Sequence, residues 1–146
     1  MFQRDYMLRQ IQQLIQVLEL VIFKRKQDQY EEAADVLNGA LKDLFGVDVD
    51  GIAGLSDEDV VELCTSSGQL VSDKAIVLAE ILEEEGHGRE LNGTSLMAPL
   101  FYAKALALYE AGLGASDAAL PLDIYDRIRT LKSLVSDPKD EDYRVD

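Results

Sequence analysis

The sequence predicts an all-α fold, and three observations carry that prediction. Apolar residues recur at three- and four-residue spacings in five segments, and a capping signal opens a sixth, shorter one. Glycine, serine and asparagine turn signals separate these segments. No stretch alternates apolar and polar residues with β-branched enrichment, so no sheet is expected.

The first helix spans about residues 3–26. Met7, Ile11, Leu14, Ile15, Leu18, Val21 and Ile22 mark one apolar face, and Val17, Leu20 and Phe23 extend it, which predicts burial on two sides. Lys24, Arg25 and Lys26 close the helix, where positive charge suits the C-terminal end of the dipole. The second helix spans about 29–45, with Tyr30, Ala33, Val36, Leu37, Ala40, Leu41 and Leu44 as its buried face and Gly46 as its stop. Residues 47–54 read as a connector. Asp48 and Asp50 resemble the start of a calcium loop, but Asp59 stands at the twelfth position where that loop needs glutamate, so the reading is rejected.

Ser56, with Asp59 three residues on, starts a short insert helix over about 57–66, and Ser67-Gly68 ends it. Ser72 caps a helix from Asp73 to about Leu91 built on Ala75, Ile76, Leu78, Ala79 and Leu82. Asn92-Gly93 turns the chain into a helix over about 95–111, with Pro99 tolerated in its first turn. Gly112-Leu113-Gly114 breaks it. A last helix, about Pro121 to Val135, carries Leu122, Ile124, Tyr125, Ile128, Leu131 and Leu134 at helical spacing, and residues 136–146 lose the pattern and read as a flexible acidic tail. Residues 1–135 are expected to form a single domain, a length that buries a sizeable core.

Composition narrows the function. Hydrophobic residues make up 47% and charged residues 29%, a globular profile rather than a disordered one. The net charge of -14 would repel nucleic acid and anionic membranes, so neither is expected as a partner. The charge is uneven: residues 1–27 hold five basic against two acidic side chains, leaving that segment basic on an acidic body. Cys64 is the only cysteine, which excludes an internal disulfide and suits a reducing compartment. Polar residues interrupt Ile11–Phe23, so neither a signal peptide nor a membrane span is expected, and a cytoplasmic location follows.

The second and fifth helices repeat one pattern: Ala33, Leu37, Ala40, Leu41 and Leu44 align with Ala98, Tyr102, Ala105, Leu106 and Tyr109. Small residues let helices approach and large ones fill the gap between them. From Ala79 to Gly112 both helices resemble a tetratricopeptide repeat, with its first-helix glycine at Gly86, its turn glycine at Gly93, and its alanine-aromatic-alanine pattern at Ala98, Tyr102 and Ala105. The chain departs from the motif at Leu82, Glu85, Arg89 and Glu110, which replace its tryptophan, leucine, tyrosine and proline. A first unit, about Leu14 to Val47, keeps Tyr30, Ala33, Leu37 and Ala40 but has Val21 and Asp28 at the glycine positions. The whole chain also resembles a family of bacterial tetratricopeptide-like proteins of unknown function, on the opening MFQRDY, the YEEAADVLNGAL segment, LSDEDVVEL and KALALYEAGL. The resemblance implies a bacterial, soluble, tetratricopeptide-like stack of antiparallel helix pairs. The insert helix would lie between the units and the final helix would cap the stack. It supplies no activity.

The candidate sites follow. By the resemblance, the concave wall of the second unit consists of Glu80, Glu83, His87 and Glu90, a surface suited to a basic protein or peptide segment. A solvated acidic face is the plainer reading. The equivalent wall of the first unit, Ile15, Leu18, Ile22 and Arg25, is mostly apolar, either covered by the insert helix or used for contact with another chain. Self-association to a homodimer through Val17, Leu20 and Phe23 is the corresponding expectation. Glu84 and His87 stand at the three-residue spacing of carboxylate-bridged metal bundles. His87 is the only histidine and lies between two glycines, so an exposed histidine is preferred to a metal ligand. Cys64 with His87 forms no nucleophile–base pair that any neighbouring motif supports, so Cys64 reads as a small buried thiol. No catalytic residue, cofactor or metal is expected. The sequence points to a non-enzymatic interaction or scaffold module, with an enzyme on the Glu84–His87 helix, or a regulatory domain working with a genomic neighbour, as the alternatives.

Overall fold

The computed structural model describes residues 2–91, 93, 96–115 and 120–135, with side chains from residue 5 onward. The described chain is all-α apart from one two-residue hairpin. The helices are α1 (Phe2–Lys26), α2 (Tyr30–Phe45), α3 (Val49–Ala53), α4 (Asp57–Leu63), α5 (Ser72–Leu91), α6 (Ala98–Leu113) and α7 (Ile124–Val135). Strands β1 (Thr65–Ser66) and β2 (Gln69–Leu70) pair antiparallel between α4 and α5. The acidic tail expected at residues 136–146 lies outside the described residues.

The helices pack in the order α2, α1, α5, α6, α7, each against its neighbour, with α4 on α6. That arrangement of pairs is compatible with a tetratricopeptide-like stack. Its core is continuous, from Leu14, Leu37 and Leu41 at one end, through Leu78, Leu82, Phe101 and Tyr102, to Ile124 and Leu131 at the other. Two close approaches set the α5–α6 crossing. A Cβ on Gly86 would stand 2.5 Å from Cε1 of Tyr102, and one on Gly112 would stand 2.6 Å from Cδ1 of Ile76. The small residue at 86 is therefore required by packing, as the spacing implies.

The termini follow local chemistry. Gly46 takes φ 79° and its N–H returns to the Lys42 carbonyl, ending α2. The Ser56 hydroxyl accepts from the Asp59 N–H at 3.1 Å and opens α4. Asp48, the false start of a calcium loop, caps α3 by accepting the Gly51 N–H at 2.8 Å. Gly93 is left-handed at φ 80°, in the turn between α5 and α6.

Several expectations need correction. The connector over 47–54 contains α3, a five-residue helix too short to show a period. The insert helix stops at Leu63, because the chain turns back through Ser67 (φ 53°) and Gly68 (φ 78°) into the hairpin. α4 packs on α6 rather than covering α1, burying Val60 and pairing Asp57 with Lys104. Pro121 precedes the last helix as a turn residue, and Leu122 and Tyr125 face solvent while Ile124, Ile128 and Leu131 are buried. α1 does pack on two sides, against α2 and α5, and leaves Leu20 and Phe23 exposed at 41% and 59%.

Candidate functional site: an acidic cleft between α1, α5 and α7

The inner faces of α1 and α5 meet in a cleft of about 330 Å³, lined by Leu18 and Ile22 from α1, Glu80, Glu83, Glu84 and His87 from α5, and Asp123 and Arg127 from the α7 side. One wall is aliphatic and the other is carboxylate. Three of the four expected wall residues, Glu80, Glu83 and His87, line it. Glu90 lies a turn further along, exposed, with its carboxylate beside the Tyr102 hydroxyl.

α5 can present this acidic face because its opposite side is locked. Glu85, 7% exposed, takes the position of an apolar residue of the repeat motif, and Arg89 takes the position of an aromatic one. The two pair with each other at 2.8 Å across one helical turn, which removes the cost either would carry alone. Arg25 of α1 joins them: one guanidinium nitrogen donates to the Glu84 carbonyl at 2.8 Å and the other pairs with Glu85. Arg89 also reaches Asp50 at 2.8 Å and stacks over the Phe101 ring. A Cβ on Gly88 would stand 2.9 Å from Nη1 of Arg25, so glycine there admits the guanidinium.

Within the cleft a second network forms. The Tyr109 hydroxyl donates to Glu83 Oε1 at 2.8 Å and accepts from Arg127 Nη1 at 3.0 Å. Arg127 lies 3.7 Å from Glu80 and 3.6 Å from Glu83, and its Nε donates to Asp123 at 3.0 Å. Burial and then the Glu83 charge push the Tyr109 hydroxyl well above its ordinary value, keeping it a neutral donor. Burial also raises Glu80; Arg127 opposes that rise, and Glu83 and Asp123 add to it. His87, half-exposed, shares a 3.0 Å hydrogen bond between its Nδ1 and the Tyr102 hydroxyl, and its Nε2 lies 3.8 Å from Glu83. No group of three or more His, Cys, Asp and Glu side chains among the described residues is arranged to hold a metal ion.

Four carboxylates line the cleft: Arg127 meets Glu80, Glu83 and Asp123, Arg25 meets Glu84 at 3.5 Å, and the side chains of Glu80 and Glu84 keep 27% and 32% of their surface in contact with solvent. Cys64 stands apart, 1% exposed at the end of α4, and burial pushes its thiol up to about 12. Of the second candidate surface, on α1, Leu20 and Phe23 are exposed and Val17 is partly buried against the core. Val17 and Leu20 line a groove of about 430 Å³ with Tyr6, Ala40 and Leu44, and Phe23 stands clear beside it.

Sequence reasoning missed Arg127, Tyr109, Asp123 and the Arg25–Glu85–Arg89 lock. The four-residue spacings Glu85–Arg89 and Asp123–Arg127 were legible as helical or near-helical pairs. Arrival of Arg127 at Glu80 was not, because it depends on how α7 docks. No helix among the described residues is long and apolar enough to cross a membrane.

Comparison with known proteins gave no match among curated proteins and none among solved structures. A family model described as a family of unknown function, DUF6483, matches residues 1–117, which takes in α1 to α6 and leaves α7 beyond the matched span. With four-fifths of its length under that match, the chain belongs to the DUF6483 family.

Proposed function

We propose that this protein is a non-enzymatic interaction module of tetratricopeptide-like build, working in the bacterial cytoplasm. Its cleft receives a basic, partly apolar segment of another protein. The observation that carries this reading is the two-sided chemistry of the cleft: Leu18 and Ile22 face Glu80, Glu83 and Glu84 across a space of about 330 Å³, which side chains of a bound segment would enter. Arg127 supports the reading, since its guanidinium sits among Glu80, Glu83 and the Tyr109 hydroxyl. A partner's arginine or lysine would share Glu80 and Glu84, partly exposed, with the arginines that already meet them, while its apolar side chains cover Leu18 and Ile22.

The test is affinity capture from the native cell, with wild-type protein beside a variant reversed at Glu80 and Glu83. A second variant, Glu80→Gln with Glu84→Gln, guards against misfolding. The reading expects a defined protein partner that both variants lose while keeping wild-type helical content. An unchanged set of bound proteins in the folded neutral variant would remove the cleft as the binding surface.

A further inference from the structure

The outer face of α1 carries a second, independent surface. Tyr6, Arg9, Gln13, Gln16, Leu20 and Phe23 are all exposed and recur at the alternating three- and four-residue spacing of a coiled-coil seam, apolar at its two ends and polar in its middle. Nothing in the described chain covers it. The inner stripe and the core stripe of the same helix are spent on α5 and α2, so this third stripe is left without a packing partner.

The stripe is self-complementary. About a two-fold axis passing between Leu14 and Ile15, an antiparallel copy of α1 places Phe23 against Tyr6, Leu20 against Arg9, and Gln16 against Gln13. An isologous contact requires that reciprocity. The aromatic residues at the two ends are the most exposed large apolar side chains of the helix, Tyr6 at 62% and Phe23 at 59%, and the pairing buries both. The central glutamines hydrogen-bond across the axis, fixing the register that polar residues in a seam are known to fix.

Charge points to the same occupant. Each chain carries -14, so two copies repel over most of their surfaces, and α1, with five basic against two acidic side chains, is the helix with the largest excess of positive charge. Arg9, without an ion pair among the described residues, would come over Leu20 of the second copy. Leu20 shares its groove with Asp43 of α2, which is likewise unpaired. Two Arg9–Asp43 contacts related by the axis would result. We propose that this face is a homodimer interface, with α1 packed antiparallel on α1 of a second copy and Arg9 set against Asp43 across it.

Sedimentation equilibrium of the full chain tests the proposal. Wild type should show a concentration-dependent rise from the 16.2 kDa monomer to twice that mass. Leu20→Glu should remain monomeric with unchanged helical content, since Leu20 is exposed in the monomer. Arg9→Asp and Asp43→Arg should each weaken the dimer about tenfold, and the two together should restore it to within about threefold of wild type. A wild-type mass that stays monomeric up to about 1 mM would overturn the proposal, as would a dimer that survives Leu20→Glu. A combined charge swap no stronger than the single reversals would overturn the Arg9–Asp43 register.

Discussion

Burial disfavours the charged form of Glu80. Burial raises its pKa above the ordinary 4.5, more than Arg127 lowers it, so the native state binds that proton more tightly than the unfolded chain does. The stabilisation from this tighter binding is complete below pH 4.5 and is lost as pH rises through the raised native value. Glu80→Gln mimics the protonated form. Denaturation curves should show the variant at least as stable as wild type at pH 7, with the difference vanishing in acid. A variant clearly weaker at neutral pH would mean the ion pair with Arg127 outweighs burial. Cys64 makes a second prediction at this scale. A buried thiol pushed up to about 12 is almost wholly protonated near neutrality, so alkylation of the native protein should be slow and unfolding should release it.

At the scale of elements, the packing of α5 decides where the cleft lies. Gly86→Ala puts a methyl group into the Tyr102 ring, and the overpacking, about 1–3 kcal/mol, exceeds the gain of at most about 1 kcal/mol from helix propensity. Chemical denaturation should show net loss. Glu85→Ala removes the carboxylate that Arg25 and Arg89 share, and should cost about 2–3 kcal/mol, because Glu84 and Asp50 leave each arginine one remaining partner. If Glu85→Ala were neutral, the lock between α1 and α5 would rest on apolar contacts alone. The helices were legible in the sequence because each long one carries an apolar stripe of its own. α3 and the hairpin were not, since five residues and two residues show no period. Gly86 and Gly93 were readable as a close approach and a turn. Gly88 and Gly112 were not, because they fall outside the repeat motif's glycine positions and the atoms they admit, on Arg25 and Ile76, come from other helices or the far end of the pair.

Over the whole molecule, charge is sorted rather than spread. The basic end of α1 is consumed internally, Lys24 by Glu32 and Arg25 by Glu84 and Glu85, which leaves an acidic cleft on one side of α1 and an uncovered seam on the other. The acidic run on α5 was visible in the sequence as a surface. That Arg127 meets Glu80 and Glu83 while Arg25 meets Glu84 was not, because α7 reaches the cleft only through the burial of Ile124, Ile128 and Leu131. The match to the DUF6483 family ends before α7, so the element that supplies Arg127 stands outside the matched segment.

The central claim, that the cleft takes a basic and apolar segment, is tested most directly by an NMR titration of the isotope-labelled chain. The probe is a synthetic amphipathic helix with arginine on one face and leucine on the other. The account predicts amide shift changes centred on Leu18, Ile22, Glu80, Glu84 and His87, lost when the arginines are replaced by glutamine and weakened in Glu80→Gln with Glu84→Gln. Shift changes that avoid these residues, or that persist in full with the glutamine peptide, would contradict it.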